Sequence, residues 1–166
     1  MQTGSGTVKC CLDTNVLDWI VDNVHGNELL DLIDRGIVSA IVAADNGYEV
    51  HRIPDGKREQ RERLQALLKT KFLPMAPTHV PIAGIARAGL ARIATPYVMS
   101  LRELLHSAGI VGLDSNHLIN ASRESREIFV TLDKRILRKG AEVRRVLGVE
   151  CLEPGELLER SFRLRE

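Results

Sequence analysis

Short apolar runs alternate along this chain with segments whose apolar residues recur at helical spacing. The runs have the length and apolar character of buried strands, and they span residues 8–12, 37–42, 128–132 and 149–152. Amphipathic helices are predicted between and after them, over residues 16–24, 28–35, 43–53, 57–73, 97–108, 114–122 and 154–160. This alternation predicts an α/β protein with a three-layer α/β/α arrangement, in which helices cover both faces of a mostly parallel sheet of four to five strands.

The boundaries of these segments also carry information. Thr14 or Asn15 is expected to cap the first helix, because their side-chain oxygens accept free backbone N–H groups. Prolines interrupt residues 74–96, where a short helix over 82–93 is one interpretation. We expect residues 1–7 to be a flexible N-terminus, residues 8–160 to form one domain, and residues 161–166 to be a C-terminal tail.

Composition narrows the class of protein. The chain has 166 residues, of which 44% are hydrophobic, and this content is too high for a disordered chain. No apolar run approaches the roughly 20 residues of a membrane helix, and the first residues lack the basic and apolar parts of a signal peptide. Cys10, Cys11 and Cys151 show neither metal-ligand spacing nor a disulfide framework, which predicts a reducing compartment, the cytoplasm.

The net charge of +1 hides an asymmetry along the chain. Residues 1–56 hold 3 basic and 9 acidic side chains, whereas residues 57–166 hold 20 basic and 13 acidic ones. Basic residues concentrate in residues 57–71 and 134–145. Two interpretations stay open: these are ordinary solvated helix faces, or they contact the phosphates of an anionic partner. Under the second, the candidate contacts are Arg58, Arg61, Lys69, Lys134 and Arg135.

Acidic residues mark the ends of predicted strands. Asp13 and Asp133 each follow a strand directly, and sites in parallel sheets form beyond the carboxyl ends of the strands. Asp114 opens a predicted helix, and Glu49 lies within another. Each acid has an ordinary alternative, since Asp is common in strand-to-helix turns and as a helix cap. Asp45 lies one helical turn before Glu49 and is an alternative to it.

The motifs around these acids resemble those of a known family. They are Asp13-Thr14-Asn15-Val16-Leu17 after a strand, Glu49 in a helix, Asp114 leading into Leu118-Ile119-Asn120-Ala121, and Thr131-Leu132-Asp133 after another strand. Together they resemble PIN-domain nucleases such as the VapC-like toxins, over roughly residues 8–152. The acids are 36, 65 and 19 residues apart. The first and last intervals are close to those of the family, and the longer middle one suggests that the proline-rich stretch is an elaboration.

The resemblance implies a site and an activity. Asp13, Glu49, Asp114 and Asp133 would meet at one end of the sheet and bind Mg²⁺ or Mn²⁺. Physical chemistry agrees, because clustered carboxylates need a cation and all-oxygen ligands suit hard divalent ions. The implied activity is that of a metal-dependent endoribonuclease, which hydrolyses RNA phosphodiester bonds. The supporting residues would be Asn15, Ser115 and Thr131.

The resemblance also implies partners. RNA would be the substrate, an antitoxin protein would bind the chain if it is the toxin of a toxin–antitoxin pair, and a homodimer is common among the family's toxins. The alternative is a catalytically silent PIN-like module that binds RNA or serves as a scaffold. Lys134 and Arg135 stand where family members often carry a further acid, so the number of metal ions stays open. His117, one turn after Asp114, is interpreted as a surface or half-buried histidine.

Overall fold

A parallel β-sheet forms the centre of the computed structural model, which describes residues 6–79 and 94–164. The strands are β1 (Val8–Leu12), β2 (Val38–Ile41), β3 (Ile128–Val130) and β4 (Glu150–Leu152). They lie in the order β2-β1-β3-β4, and each neighbouring pair is parallel. The predicted α/β class with a parallel sheet is therefore confirmed, with four strands in the part of the chain that the structure describes.

Helices connect the strands on both faces of the sheet. They are α1 (Thr14–Asp22), α2 (Gly26–Asp34), α3 (Ala44–His51), α4 (Arg58–Lys71), α5 (Pro96–Ser107), α6 (Leu113–Arg123), α7 (Lys134–Arg138), α8 (Gly140–Leu147) and α9 (Pro154–Arg163). A 3-10 helix, Asp55–Lys57, precedes α4. The helix predicted over 82–93 lies outside the described residues. Within residues 6–79 and 94–164, no helix has the length and apolarity needed to cross a membrane.

Two hydrophobic cores lie on opposite sides of the sheet. Neighbouring side chains of a strand point to opposite faces, so Cys10 and Leu12 pack with residues of α1, α2, α4 and α9. Cys11 instead packs with residues of α5, α6, α7 and α8. Burial raises the pKa of the Cys10 thiol to about 12, as expected of a thiol that acts as a small hydrophobic group. The two cores produce the predicted three layers.

The strand order brings distant parts of the chain together at one edge of the sheet. β1 and β3 are neighbours in its middle, and the hydrogen bonding continues one residue past their ends. The backbone N–H of Asp13 donates to the carbonyl of Val130 at 3.0 Å, and that of Thr131 donates to the carbonyl of Leu152 at 3.0 Å. Asp13 and Thr131 therefore stand side by side where the strands end.

The start of α1 differs from the prediction that Thr14 or Asn15 caps it. Asp13 occupies the cap position, and its Oδ1 accepts a hydrogen bond from the backbone N–H of Thr14 at 2.8 Å. The hydroxyl of Thr14 instead donates to Glu49, and the side chain of Asn15 bonds Asp13 and the backbone of Leu132. Tertiary partners that the local sequence does not reveal thus occupy both side chains, and the preceding Asp caps the helix.

Candidate active site

The carboxylate of Asp13 lies at the centre of a hydrogen-bond network. Its Oδ2 accepts from the amide of Asn15 at 2.9 Å and from the hydroxyl of Thr131 at 2.7 Å, and Nδ1 of His117 lies 3.3 Å from Oδ1. Burial alone would raise the pKa of Asp13. The hydrogen bond and positive charge of His117, together with the hydrogen bonds from Thr131 and Thr14, outweigh burial and lower this pKa. Asp13 is therefore fixed in place and kept ionised.

Asn15 and Thr131 hold the two strand ends together around Asp13. Oδ1 of Asn15 accepts from the backbone N–H of Leu132 at 3.0 Å, which ties α1 to the segment after β3. The hydroxyl of Thr131 accepts from the backbone N–H of Asp133 at 3.0 Å while it donates to Asp13. Both residues were expected to support the site, and the structure places both against Asp13.

Glu49 reaches the same neighbourhood from α3. Its carboxylate accepts a hydrogen bond from the hydroxyl of Thr14, which in turn accepts from the amide of Asn46 at 2.9 Å. Burial raises the pKa of Glu49, although the charge of His117 and the hydroxyl of Thr14 lower it. Thr14 was expected to cap α1 and Asn46 was not expected at the site, although Thr14 lies inside the motif that begins at Asp13.

Asp45, the alternative to Glu49, has a different environment. It is buried, and its carboxylate accepts hydrogen bonds from the hydroxyl of Thr78 and, at 3.3 Å, from the amide of Asn120. Oδ1 of Asn120 also accepts from the backbone N–H of His79 at 2.8 Å. These contacts join α3, α6 and the segment after α4. Asp45 therefore has a role in packing, while Glu49 is the acid of α3 that lies beside Thr14.

Asp133 and Asp114 share a single cation, the guanidinium of Arg135. Nη2 of Arg135 lies 2.6 Å from Oδ2 of Asp133 and 3.4 Å from Oδ2 of Asp114. Hydrogen bonds from Arg135 lower the pKa of Asp133, whereas burial raises that of Asp114 despite the nearby guanidinium. Asp133 caps α7 through the backbone N–H of Arg135 at 2.8 Å. The interpretation of Asp114 as a cap is wrong, because Gly112 occupies the cap position of α6.

His117 is a member of the site that the sequence analysis placed at the surface or half buried. That expectation is wrong, because its side chain is only 3% exposed. Nδ1 contacts Asp13, while Nε2 lies 3.8 Å from Oε2 of Glu49 and has no hydrogen-bond partner among the described residues. Burial would lower the pKa of His117, but the hydrogen bond to Asp13 and the charges of Glu49, Asp13 and Asp45 raise it. The signal that finds this residue is its position one helical turn after Asp114, on the same face of α6.

The other candidates lie in different settings. The buried hydroxyl of Ser115 donates to the carbonyl of Gly112 at 2.8 Å, so its hydrogen bond closes the start of α6 and does not reach an acid. Lys134 pairs with Glu153. On α4, Arg58 pairs with Glu62 at 2.7 Å, and Arg61 pairs with Asp55 at 2.8 Å. Lys69 is exposed and forms no ion pair with the residues that the structure describes.

The four predicted acids form an electrostatically coupled chain. The charge of Asp13 acts on Glu49, and the charges of both Asp13 and Asp133 act on Asp114. Within the described ranges, however, no three His, Cys, Asp or Glu side chains converge closely enough to hold a metal ion. The oxygen donors suit Mg²⁺ or Mn²⁺, and Arg135 already provides a positive charge between Asp114 and Asp133. The donor chemistry thus matches a hard divalent ion, while the guanidinium of Arg135 occupies the position between Asp114 and Asp133.

Comparison with solved structures places this geometry in a known fold. The crystal structure of FitAcB from Neisseria gonorrhoeae is similar over 87% of this chain and 97% of the matched chain, with a TM-score of 0.51 and 17% identity. The fold is PIN-like. No protein-family model matches the sequence, and no curated protein does so either. At this identity the similarity is one of fold, so the argument for function has to come from the site.

A test of the His117–Asp13 pair follows from the raised pKa of His117. A histidine whose pKa is higher in the folded than in the unfolded protein stabilises the fold when it is protonated. This contribution to the free energy of unfolding is fully present below the ordinary histidine pKa of about 6.5, and it is lost as pH rises through the folded-state pKa. In chelator, wild type should therefore exceed His117→Gln in free energy of unfolding by a margin that shrinks as pH rises above 6.5. Urea titrations of both proteins between pH 6 and 9 measure this margin. A margin that grows with pH would contradict the charged pair.

Proposed function

We propose that this protein is a metal-dependent endoribonuclease that hydrolyses RNA phosphodiester bonds, with Mg²⁺ or Mn²⁺ as cofactor. The observation that supports it most is the carboxylate of Asp13. It is buried yet kept ionised at the carboxyl end of a central strand, and its charge acts on Glu49 of α3 and on Asp114 of α6. Burial of a charged carboxylate is costly, and among the described residues Asp13 has only a histidine, His117, as a cationic partner. Such costly arrangements are common where function requires them.

The chain's own residues would divide the work at this site. A divalent ion at these acids would polarise a phosphoryl oxygen and lower the pKa of bound water. Asp13, Glu49, Asp114 and Asp133 would hold it, and Asn15 and Thr131 would keep Asp13 in position. His117 joins Asp13 to the neighbourhood of Glu49 and would set the orientation of both carboxylates.

The proposed setting is that of a cytoplasmic toxin with an antitoxin partner. The FitAcB structure, to which the fold is similar, is a toxin–antitoxin complex, and this supports an antitoxin that binds the present chain as well. Formation of a homodimer and contacts of RNA phosphates with the basic residues of α4, such as Arg58 and Lys69, belong to the same proposal. Mixing the purified chain with RNA at increasing salt concentrations measures such contacts through the slope of affinity against salt.

One observation favours a second function, a catalytically silent PIN-like module that binds RNA or acts as a scaffold. Arg135 neutralises Asp133 and Asp114, and no three metal-ligating side chains converge within the described residues. A protein that had lost its metal would keep such an arrangement. The two functions differ in one result, since the silent module binds RNA without cleaving it.

Cleavage of a mixed RNA substrate tests the proposal directly. We expect cleavage with Mn²⁺ or Mg²⁺, none in excess chelator, and at least a roughly 100-fold lower rate for Glu49→Gln, because the variant loses a charged donor at the site. Glu28→Gln is the matched control, since Glu28 is exposed on α2 and, within residues 6–79 and 94–164, pairs only with His25. Cleavage that persists in chelator would refute the metal-dependent mechanism, and RNA binding without cleavage in any condition would favour the silent module.

A further inference from the structure

Arg135 forms a two-acid contact that the proposed chemistry does not use. Its Nη2 contacts both Asp133 and Asp114, and its Nε lies 3.2 Å from each carboxylate oxygen of Asp133. The two acids come from different elements, since Asp133 follows β3 and Asp114 lies in the first turn of α6. One side chain therefore holds together two of the four acids that the proposed function needs.

The guanidinium is well placed to leave. The Arg135 side chain is 76% exposed, and exposed ion pairs contribute little to stability. The cap of α7 uses the backbone N–H of Arg135, so the helix start does not depend on the side chain. By contrast, Asp13 is held by several donors in a buried network. Asp13 is thus held by a buried hydrogen-bond network, whereas Asp114 and Asp133 are bridged only by the exposed guanidinium of Arg135 among the described residues.

We propose that Arg135 is a resident counter-cation, and that a divalent ion binds Asp114 and Asp133 by displacing it. This inference rests on the proposed function, because it assumes that the ion uses these acids. The physical reason is that the guanidinium and the ion require the same carboxylate oxygens and repel each other. The ion cannot bind the two acids while Arg135 contacts them. The apparent affinity for the ion is therefore the intrinsic affinity multiplied by the fraction of molecules in which this contact is broken.

Displacement also changes what Arg135 itself can bind. A guanidinium matches the geometry of a phosphate with two parallel hydrogen bonds, as it matches a carboxylate. Once released, Arg135 stays on the five-residue helix α7 that directly follows Asp133. It is then free to contact the phosphate of a substrate at the rim of the site. Binding of the cation would therefore also release Arg135 to bind an anionic substrate.

Calorimetric titration with Mn²⁺, without RNA, tests the exchange. We expect Arg135→Gln to bind Mn²⁺ about five-fold more tightly than wild type, and Arg135→Lys to fall between them, since lysine keeps the charge but loses the fork. The matched control is Arg138→Gln, which removes the same charge from the same helix. Arg138 is exposed and makes no ion pair within residues 6–79 and 94–164, so we expect a change below about two-fold. In wild type, addition of Mg²⁺ should also shift the NMR signal of the Arg135 Nε–H group.

The outcomes separate this inference from the proposed function. An equal increase in Mn²⁺ affinity in Arg135→Gln and Arg138→Gln would mean that the loss of any nearby positive charge has this effect, and it would overturn the exchange. Mn²⁺ binding that Asp114→Asn weakens, combined with no change in Arg135→Gln, would also overturn the exchange while leaving the metal site in place. Wild type that binds no Mn²⁺ would overturn both.

Discussion

Asp13→Ala is expected to unfold about 3 kcal/mol more easily than wild type and to lose cleavage entirely, because it removes one partner of a buried charged network. The variant removes the acceptor of the Thr131 hydroxyl and of the His117 ring, and it leaves the amide of Asn15 with the Thr131 hydroxyl at 3.3 Å as its acceptor. His117 also loses the hydrogen bond that raises its pKa against burial, so its ring is expected to lose its proton and with it the stabilising charge pair. The same change removes the central acid of the proposed site.

Urea denaturation in chelator measures the stability part of this prediction without any contribution from metal. Asp13→Asn should lie between wild type and Asp13→Ala, because asparagine keeps one acceptor but loses the charge. Asp31→Ala is the control, since Asp31 is exposed and its ion pair among the described residues is with Arg35, the residue that follows α2, and we expect a change within about 0.5 kcal/mol. If Asp13→Ala were no less stable than the control, the network would not be what joins the strand ends.

Asp114→Asn is expected to reduce cleavage at least about 100-fold and to remove most of the stabilisation by Mn²⁺, while the metal-free protein becomes no less stable. Burial raises the pKa of Asp114, so the ionised carboxylate is disfavoured in the folded state. Above that raised pKa the charge reduces stability, and asparagine removes the cost. Because the side chain is 38% exposed, the gain should stay below about 1 kcal/mol.

Thermal melts of wild type and Asp114→Asn, each with chelator and with Mn²⁺, decide this prediction. An equal rise in melting temperature with Mn²⁺ in both proteins would show that Asp114 is not a ligand. A lower melting temperature of the variant in chelator would mean that the ion pair with Arg135 outweighs the burial of the charge. Arg135→Gln, measured alongside, separates these two contributions.

Local pattern was sufficient for most of the fold. Residues 8–12 are apolar except for Lys9 and are followed by Asp13, and the structure has a strand over Val8–Leu12. The helix predicted over 57–73 is present as Arg58–Lys71 after a 3-10 turn. Strands and amphipathic helices are determined by spacing along the chain, which the sequence displays directly. The two-sided core followed from strands that are apolar on both faces.

The contacts between side chains at the site were much less accessible from the sequence. The sequence favoured a surface or half-buried position for His117, yet packing of α6 against the sheet buries it between Asp13 and Glu49. It also treated Arg135 as a candidate contact for phosphate, whereas the structure directs it onto two acids. The burial of His117 and the contact of Arg135 with Asp114 depend on how elements far apart in the chain pack, whereas Asp133 lies only two residues before Arg135.

By itself, the sequence determined which residues stand at the carboxyl ends of the strands and at one face of α6, because strand ends and helical periodicity are local properties. These local properties singled out Asp13 and Asp133 at strand ends and Asp114 at the start of α6, and the resemblance to PIN-domain nucleases added Glu49 of α3 to the expected set. Only the tertiary structure decided which partner each carboxylate takes, because the choice depends on strand order, burial and the orientation of side chains. The lowered pKa of Asp13, the raised pKa of Glu49 and the guanidinium between the other two acids are consequences of that packing.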